Sequence, residues 1–251
     1  DDGNTFKRKN VARGAFRSSF TLANGEEYYG VAKKPVFQVK DNKILVAWTS
    51  KYCNGGRPAY AIDLEDDYVF DDPYYTEDIW GVAGPQRSHD YTEDGFPEVG
   101  EVPYSCVWTA RGVIATQADV DAGLGEFVGD IVWFKPERLT SGRRDANQVF
   151  MGAADGAGFA IAWQEDPDGL RPGQAKGPGP GWGGATTNHK TDIWYSYITW
   201  DDFAVVDANF VSGGDPQHDD PELVGRPKAL VPMSLPVRVT DNDVVNSDNI
   251  M

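Results

Sequence analysis

The sequence predicts an all-β fold made of β-propeller-type repeats, with long irregular loops between them. Three observations predict it: short apolar segments between turn residues, weak helical patterns, and strand motifs that recur along the chain. The 251 residues include eight Trp, eleven Tyr and twelve Phe, and aromatic side chains are favoured on pleated, half-buried strands. One all-β domain accommodates a chain of this length, so a second domain is not required.

Short apolar segments bounded by Gly, Pro, Asn and Asp indicate the strands. Residues 43–48, 130–134 and 158–163 are typical of them, and segments of that length between turn residues favour strands over helices. The best helical candidate, residues 116–122, is short and is followed by Gly123, a residue that commonly ends a helix. The chain is therefore predicted to consist mainly of strands.

One ordered set of motifs occurs twice. Each copy has Val-Phe, a turn and an apolar strand ending in Ala-Trp, at Trp48 and at Trp163. Each is followed by an Asp-Ile-Trp segment, at 78–80 and at 192–194. A repeat with at least two strong strands per copy suits four-stranded propeller blades, and chance spacing of common strand motifs is the alternative.

An intermediate copy is predicted between these two. It contains Trp108 and then an Asp-Ile-Val-Trp segment at 130–133. Three copies and an N-terminal segment would give three or four blades, fewer than most closed propellers have. We therefore expect one propeller-like domain over residues 1–236, belonging to a larger protein, and a polar C-terminal tail at 237–251.

Long loops are expected between the copies, at residues 63–94, 166–190 and 212–221. Loops of this length in a compact domain are usually binding or interface elements. The histidines at 89, 189 and 218 fall in polar segments far apart in sequence, so they do not indicate a transition-metal site.

The charge balance excludes some classes of partner. Asp and Glu outnumber Lys and Arg by 39 to 23, for a net charge of −16. Such a field repels nucleic acid and anionic lipid and attracts cations, so nucleic-acid binding is excluded as a main role. No apolar stretch reaches the ~18 residues of a membrane-spanning helix, and no transmembrane segment is expected.

The two cysteines, Cys53 and Cys106, are predicted to form a disulfide in an oxidising compartment. On the chain-entropy model, closing that loop stabilises the fold by roughly 4 kcal/mol. Two unrelated buried thiols are the alternative. Neither cysteine belongs to a Cys-x-x-Cys pair, so zinc, iron–sulfur and haem sites are not indicated.

Calcium is the predicted cofactor. It takes roughly six to eight oxygens from carboxylates, amides and carbonyls in flexible loops, and acidic clusters beside turn residues offer such oxygens. The turn-forming role of Asp beside Gly and Pro is the alternative. The candidate ligands form two clusters, Glu165, Asp166 and Asp168 in one and Asp63, Asp66 and Asp67 in the other.

A family resemblance rests on residues 159–170, which read FAIAWQEDPDGL, on the Gly-Pro-rich stretch 177–182, and on HKTDIWYSY at 189–197. Together they resemble the large bacterial surface proteins of the choice-of-anchor O family, most specifically over residues 145–203. The resemblance implies export and a surface address, and it brings no established activity. A looser likeness links residues 192–196 to the strand before an Asp-box in sialidase-type propellers, but the Asp-box sequence does not follow.

These observations lead to three hypotheses for function. The first is an exported, cell-surface or extracellular binding or scaffold protein of the propeller type, non-catalytic and stabilised by calcium. The second is a sialidase-like glycoside hydrolase acting on surface glycans, which would need two carboxylates about 5–10 Å apart. The third is a structural subunit of an extracellular assembly. Expected partners are other surface proteins or glycans, and further copies of the chain.

Overall fold

The computed structural model describes residues 8–12, 19–25, 27–29, 32–51, 53, 86–140, 142–170, 190–207 and 226–242. Over these ranges the chain forms thirteen strands and one five-residue helix, α1, at Gln117–Asp121, which confirms the all-β prediction. The strands are, in chain order, β1 Ser19–Thr21, β2 Glu27–Tyr29, β3 Lys33–Lys40, β4 Lys43–Ser50, β5 Ser88–Asp90, β6 Glu101–Pro103, β7 Cys106–Ile114, β8 Ile131–Trp133, β9 Glu137–Arg138, β10 Asp145–Ala154, β11 Gly158–Asp166, β12 Asp192–Thr199 and β13 Val237–Arg238.

Two antiparallel sheets form the body of the fold. In the first sheet the order is β3-β4-β7-β8, and β9 also pairs with β7. In the second sheet the order is β10-β11-β12-β13. In the second sheet neighbouring strands follow one another along the described chain, whereas β5 and β6 lie between β4 and β7 of the first sheet in sequence. Small two-stranded ribbons are formed by β1 with β2 and by β5 with β6.

Both sheets contain a row of cross-strand partners with the same residue types. In each row a tryptophan on one strand lies opposite a tryptophan on the next, and the second tryptophan lies opposite an arginine on the strand beyond. The rows are Trp48–Trp108–Arg138 in the first sheet and Trp163–Trp194–Arg238 in the second.

Both sheets also have an irregularity at the same place. The pairing register shifts between Lys33 and Val36 in β3 and between Asn147 and Phe150 in β10, so that each bulge faces the first tryptophan of its row. Each bulge contains a residue with a left-handed backbone conformation. This residue is Lys34 in β3, with a φ of 46°, and Gln148 in β10, with a φ of 48°. An extra residue in one strand is what produces such a bulge.

The sheets do not follow the predicted division into three copies. Trp48 and Trp108 are direct cross-strand partners, and the segment at 131–133 is β8 of the same sheet. The intermediate copy is therefore not separate, because tryptophans pair across neighbouring strands and the motif recurs within one sheet. The predicted segment at 78–80 lies outside the described residues. The predicted tail begins with β13, which belongs to the second sheet.

The main hydrophobic core lies between the two sheets. Side chains alternate between the two faces of a strand, and we call the face of each sheet that contacts this core its inner face and the opposite one its outer face. The first sheet presents Leu45 and Ala47 on its inner face, whereas the second sheet presents Trp163 and Trp194. Trp48 lies on the outer face of the first sheet, in a separate cluster, so Trp48 and Trp163 occupy different surroundings.

Candidate functional site

The predicted disulfide between Cys53 and Cys106 is confirmed, with Cα atoms 5.7 Å apart. It joins the start of β7 to the segment after β4 and packs with Trp48 and Trp108 on the outer face of the first sheet. Gly142 lies against it, because a Cβ atom there would be 2.8 Å from the Sγ of Cys53. This glycine also has a φ of 77°, which favours a residue without a side chain.

The first predicted calcium cluster does not converge on one point. Glu165 and Asp166 are neighbours in β11, so their side chains project to opposite faces of the sheet. The Oε1 atom of Glu165 accepts a hydrogen bond from the indole of Trp163 at 2.8 Å. The Oδ1 atom of Asp166 accepts one from the backbone of Asp168 at 2.9 Å.

Within the described ranges, no group of three or more His, Cys, Asp or Glu side chains is placed to hold a metal ion. The second predicted cluster, Asp63, Asp66 and Asp67, lies outside those ranges. Calcium binding therefore stays a prediction.

Glu165 belongs instead to a buried pair of carboxylates that local sequence patterns do not reveal. It lies directly opposite Asp192 in β12, and each residue is only 2% exposed. The Oδ2 atom of Asp192 accepts hydrogen bonds from Nε of Arg238, at 2.9 Å, and from Nη2. Its Oδ1 atom accepts from the Thr240 hydroxyl and the Asn242 backbone, both at 2.9 Å.

Burial raises the pKa of Glu165 to about 7, against the opposing effects of the Trp163 hydrogen bond and the charge of Arg144. The guanidinium of Arg144 lies over the Trp194 ring, 5.2 Å from its centroid. The pair thus combines one carboxyl group whose pKa lies near neutral pH with a second that accepts hydrogen bonds from an arginine. Such a pair is chemically suited to acid–base work, but its burial fits a structural role.

A second buried polar group joins the two sheets. Lys51, after β4, has its Nζ atom 3.7 Å from Oδ1 of Asp145 in β10, and both side chains are buried. The Asp145 carboxylate also accepts hydrogen bonds from the backbone of Ser105 at 2.7 Å and of Leu170 at 3.1 Å. Burial lowers the pKa of Lys51, and the charge of Asp145 acts in the opposite direction.

A third buried ion pair lies in the main interface. Arg111 Nη2 is 2.7 Å from Oε1 of Glu137, and Arg111 Nη1 donates to the backbone oxygen of Phe203 at 3.2 Å. The other carboxylate oxygen of Glu137 accepts from the backbone of Met233 at 2.8 Å. Burial raises the pKa of Glu137, and Arg111 opposes that shift. These contacts join the first sheet to the segments that contain Phe203 and Met233, and they leave the charged groups buried.

One accessible aromatic surface is the outer face of the second sheet. Tyr197 is 48% exposed and its ring stacks on that of Tyr195 at a centroid distance of 6.4 Å. Ala160, opposite Tyr197, is also exposed. A groove of about 900 Å³ begins here and extends past Gly156 to Trp200. Small residues beside aromatic ones make this surface the best candidate for binding another molecule.

No helix in the described part of the chain is both long and apolar enough to cross a membrane. The chain matches no family model, no curated protein and no solved structure.

Proposed function

We propose that the chain is an exported, non-catalytic binding or scaffold protein of the β-propeller type, in which the two sheets are consecutive blades. The observation that carries the proposal is the recurrence of the Trp–Trp–Arg row, each with a bulge opposite its first tryptophan. A propeller blade is a four-stranded sheet, and the second sheet has four strands whose neighbours follow one another along the described chain.

The way the sheets pack also supports blades. The second sheet contributes its tryptophan-bearing face to the main core. The first sheet contributes the face opposite to its own Trp48 and Trp108. Two equivalent units that meet through unlike faces have a head-to-tail arrangement, which is the relation between successive blades around an axis. A sandwich of two related sheets has no need of that relation.

Export to the cell surface or extracellular space is proposed on two grounds. The Cys53–Cys106 disulfide is of a kind that persists mainly in oxidising compartments. Residues 159–197 resemble choice-of-anchor O surface proteins. We propose calcium as a stabilising ligand of this acidic chain, since anionic surfaces attract cations.

The binding surface proposed is the outer face of the second sheet, where Tyr197 and Ala160 are exposed beside the groove. Aromatic side chains on such a face are suited to contacts with proteins or with sugar rings. The buried ion pair of Lys51 with Asp145 supports a scaffold role, because it connects the segment after β4 to β10 of the second sheet away from solvent.

A sialidase-like hydrolase is the second candidate, favoured by the raised pKa of Glu165 opposite Asp192 and beside Arg144. Turnover of a panel of chromogenic glycosides, with and without calcium, separates the two candidates. The scaffold proposal expects no turnover. Hydrolysis by the wild-type chain that is lost in both Glu165→Gln and Asp192→Asn would establish the hydrolase instead.

A further inference from the structure

The outer face of the first sheet presents large apolar side chains to solvent. Phe37 is 70% exposed and Val39 is 48% exposed. Their cross-strand partners are Val46 and Ile44, which lie on the same side of β4 as Trp48. The half of this face near Trp48 contacts Val11, Ala12 and the disulfide, so the exposed apolar part lies along β3.

The corresponding positions in the second sheet are partly buried and pack against the main core. Counted from the tryptophan of each row, Phe37 and Val39 occupy the positions of Met151 and Ala153 in β10. Met151 and Ala153 pack against the core between the sheets, and β10 is the strand of the second sheet that contacts β3. The exposed side chains on β3 are therefore at positions that form an interface in the other sheet.

The outer face of the second sheet has the complementary property. By the same register, Ala160 and Tyr197 occupy the positions of Leu45 and Arg111 on the inner face of the first sheet. Leu45 is 0% exposed and Arg111 is 1% exposed, whereas Tyr197 is 48% exposed. The two sheets thus expose two unlike outer faces, which correspond in register to the two inner faces that pack against each other in the main core.

We propose that a second copy of this chain docks head to tail, with the outer face of its first sheet against the outer face of the second sheet. This inference rests on the proposed blade architecture, since it repeats the interface between the two sheets of one chain. A heterologous contact of this kind closes into a ring when the rotation allows it. Closed propellers have about four to eight blades, so two-bladed chains would close as rings of about two to four copies.

Charge acts against this association, because each copy has a net charge of −16. The side chains on the docking faces, Phe37, Val39, Ala160 and Tyr197, are themselves uncharged. Salt shortens the range of the repulsion between copies and leaves the burial of apolar surface intact. Assembly should therefore become stronger as the concentration of sodium chloride is raised.

Sedimentation equilibrium of the full chain, at low and high salt, tests the proposal. We expect the wild type to form species larger than a monomer, and Phe37→Arg and Ala160→Arg each to raise the dissociation constant by roughly tenfold or more, since burying an unpaired charge is costly. Val128→Arg is the control, because Val128 is 57% exposed and lies in the loop between α1 and β8, outside the strands that form the two docking faces. Thermal melts should show that all three variants stay folded, as the replaced side chains are exposed.

Mixing the two variants distinguishes a head-to-tail contact from a symmetric one. Phe37→Arg leaves the outer face of the second sheet intact, and Ala160→Arg leaves that of the first sheet intact. An equimolar mixture should therefore form heterodimers through one good interface and stop there. A symmetric interface would not be restored by mixing.

A monomeric wild type under all conditions overturns the inference, whether the faces are then covered by another segment of the chain or by a further blade of a longer protein. Assembly that survives both substitutions, or a mixture that stays monomeric, also overturns it. Failure of the scaffold proposal has a different signature, namely turnover of glycosides. A monomer without turnover would therefore refute the docking alone.

Discussion

Replacing Glu165 with glutamine removes a buried titratable carboxyl but keeps an oxygen that accepts the indole hydrogen bond of Trp163. Burial raises the pKa of Glu165 from 4.5 to about 7 in the folded chain. Between these values the folded chain holds a proton that the unfolded chain has lost, so the free energy of unfolding falls as the pH rises. Below pH 4.5 both states are protonated, and the contribution no longer changes.

The size of the effect follows from the same two values. A tenfold change in proton affinity corresponds to about 1.4 kcal/mol, so the rise from 4.5 to about 7 sets an upper limit of about 3 kcal/mol on the stability lost between pH 4.5 and 8. Glu165→Gln should lose this pH dependence and should be more stable than the wild type at pH 8. The charges of Arg144 and Arg238 lower the pKa of Glu165, and their effect is already contained in the value of about 7.

Urea unfolding at a series of pH values from about 5 to 8 measures this difference. The wild type should lose stability relative to Glu165→Gln as the pH rises, and Glu93→Gln, at an exposed position, should follow the wild type. Other buried groups such as Glu137 are present in all three proteins and cancel in the comparison. Parallel plots of stability against pH for the wild type and Glu165→Gln would show that Glu165 does not titrate in this range. A wild type that becomes more stable relative to Glu165→Gln as the pH rises would mean that the pKa of Glu165 is lowered by folding.

Three further predictions concern stability. Reduction of the disulfide, or the double replacement Cys53→Ser and Cys106→Ser, should lower the free energy of unfolding by about 4 kcal/mol, as expected for a loop of this length. Chemical denaturation with and without reductant measures the loss, and an unchanged midpoint would contradict the prediction. Gly158→Ala should cost more than about 2 kcal/mol, because its Cβ would lie 1.9 Å from the backbone oxygen of Ile198. Gly152→Ala, with nothing within 4 Å, should change stability by less than about 1 kcal/mol, and equal losses would argue against this pairing of β11 and β12. Millimolar calcium should raise the melting temperature, and a chelator should reverse the rise. At a hundredfold excess of calcium over its dissociation constant, the free energy of unfolding should increase by about 3 kcal/mol. A melting temperature that does not change with calcium would refute the proposal of calcium binding.

The strands could be predicted because their sequence signals are local, and the disulfide because the chain has only two cysteines. Apolar segments between turn residues predict strands without knowledge of their partners, and two cysteines allow a single pairing. The segments 43–48 and 158–163 accordingly lie within β4 and β11.

The partners of the strands could not be predicted in this way. Trp48 and Trp108 are far apart in sequence, and their pairing depends on the register of β4 against β7. A strand motif identifies a strand, but register is set by the burial of a whole face and by the turns. Adjacent acids such as Glu165 and Asp166 therefore suggest one site in the sequence, whereas the alternation of side chains in a strand places them on opposite faces of the sheet.

The end of each Trp–Trp–Arg row shows how different chemistry can serve one structural position. Two residues beyond the tryptophans, the cross-strand pair is Ser50 with Cys106 in the first sheet and Glu165 with Asp192 in the second. Cys106 is joined there to the segment after β4 by a disulfide. Asp192 is joined by hydrogen bonds to Arg238 at the end of β13 and to Thr240 and Asn242 in the segment that follows it. Cys106 in β7 and Asp192 in β12 therefore occupy equivalent positions, and each is bonded to a chain segment that follows a strand of its own sheet. The carboxylate at this position is thus explained by anchoring, and the raised pKa of Glu165 follows from the burial that the anchor requires.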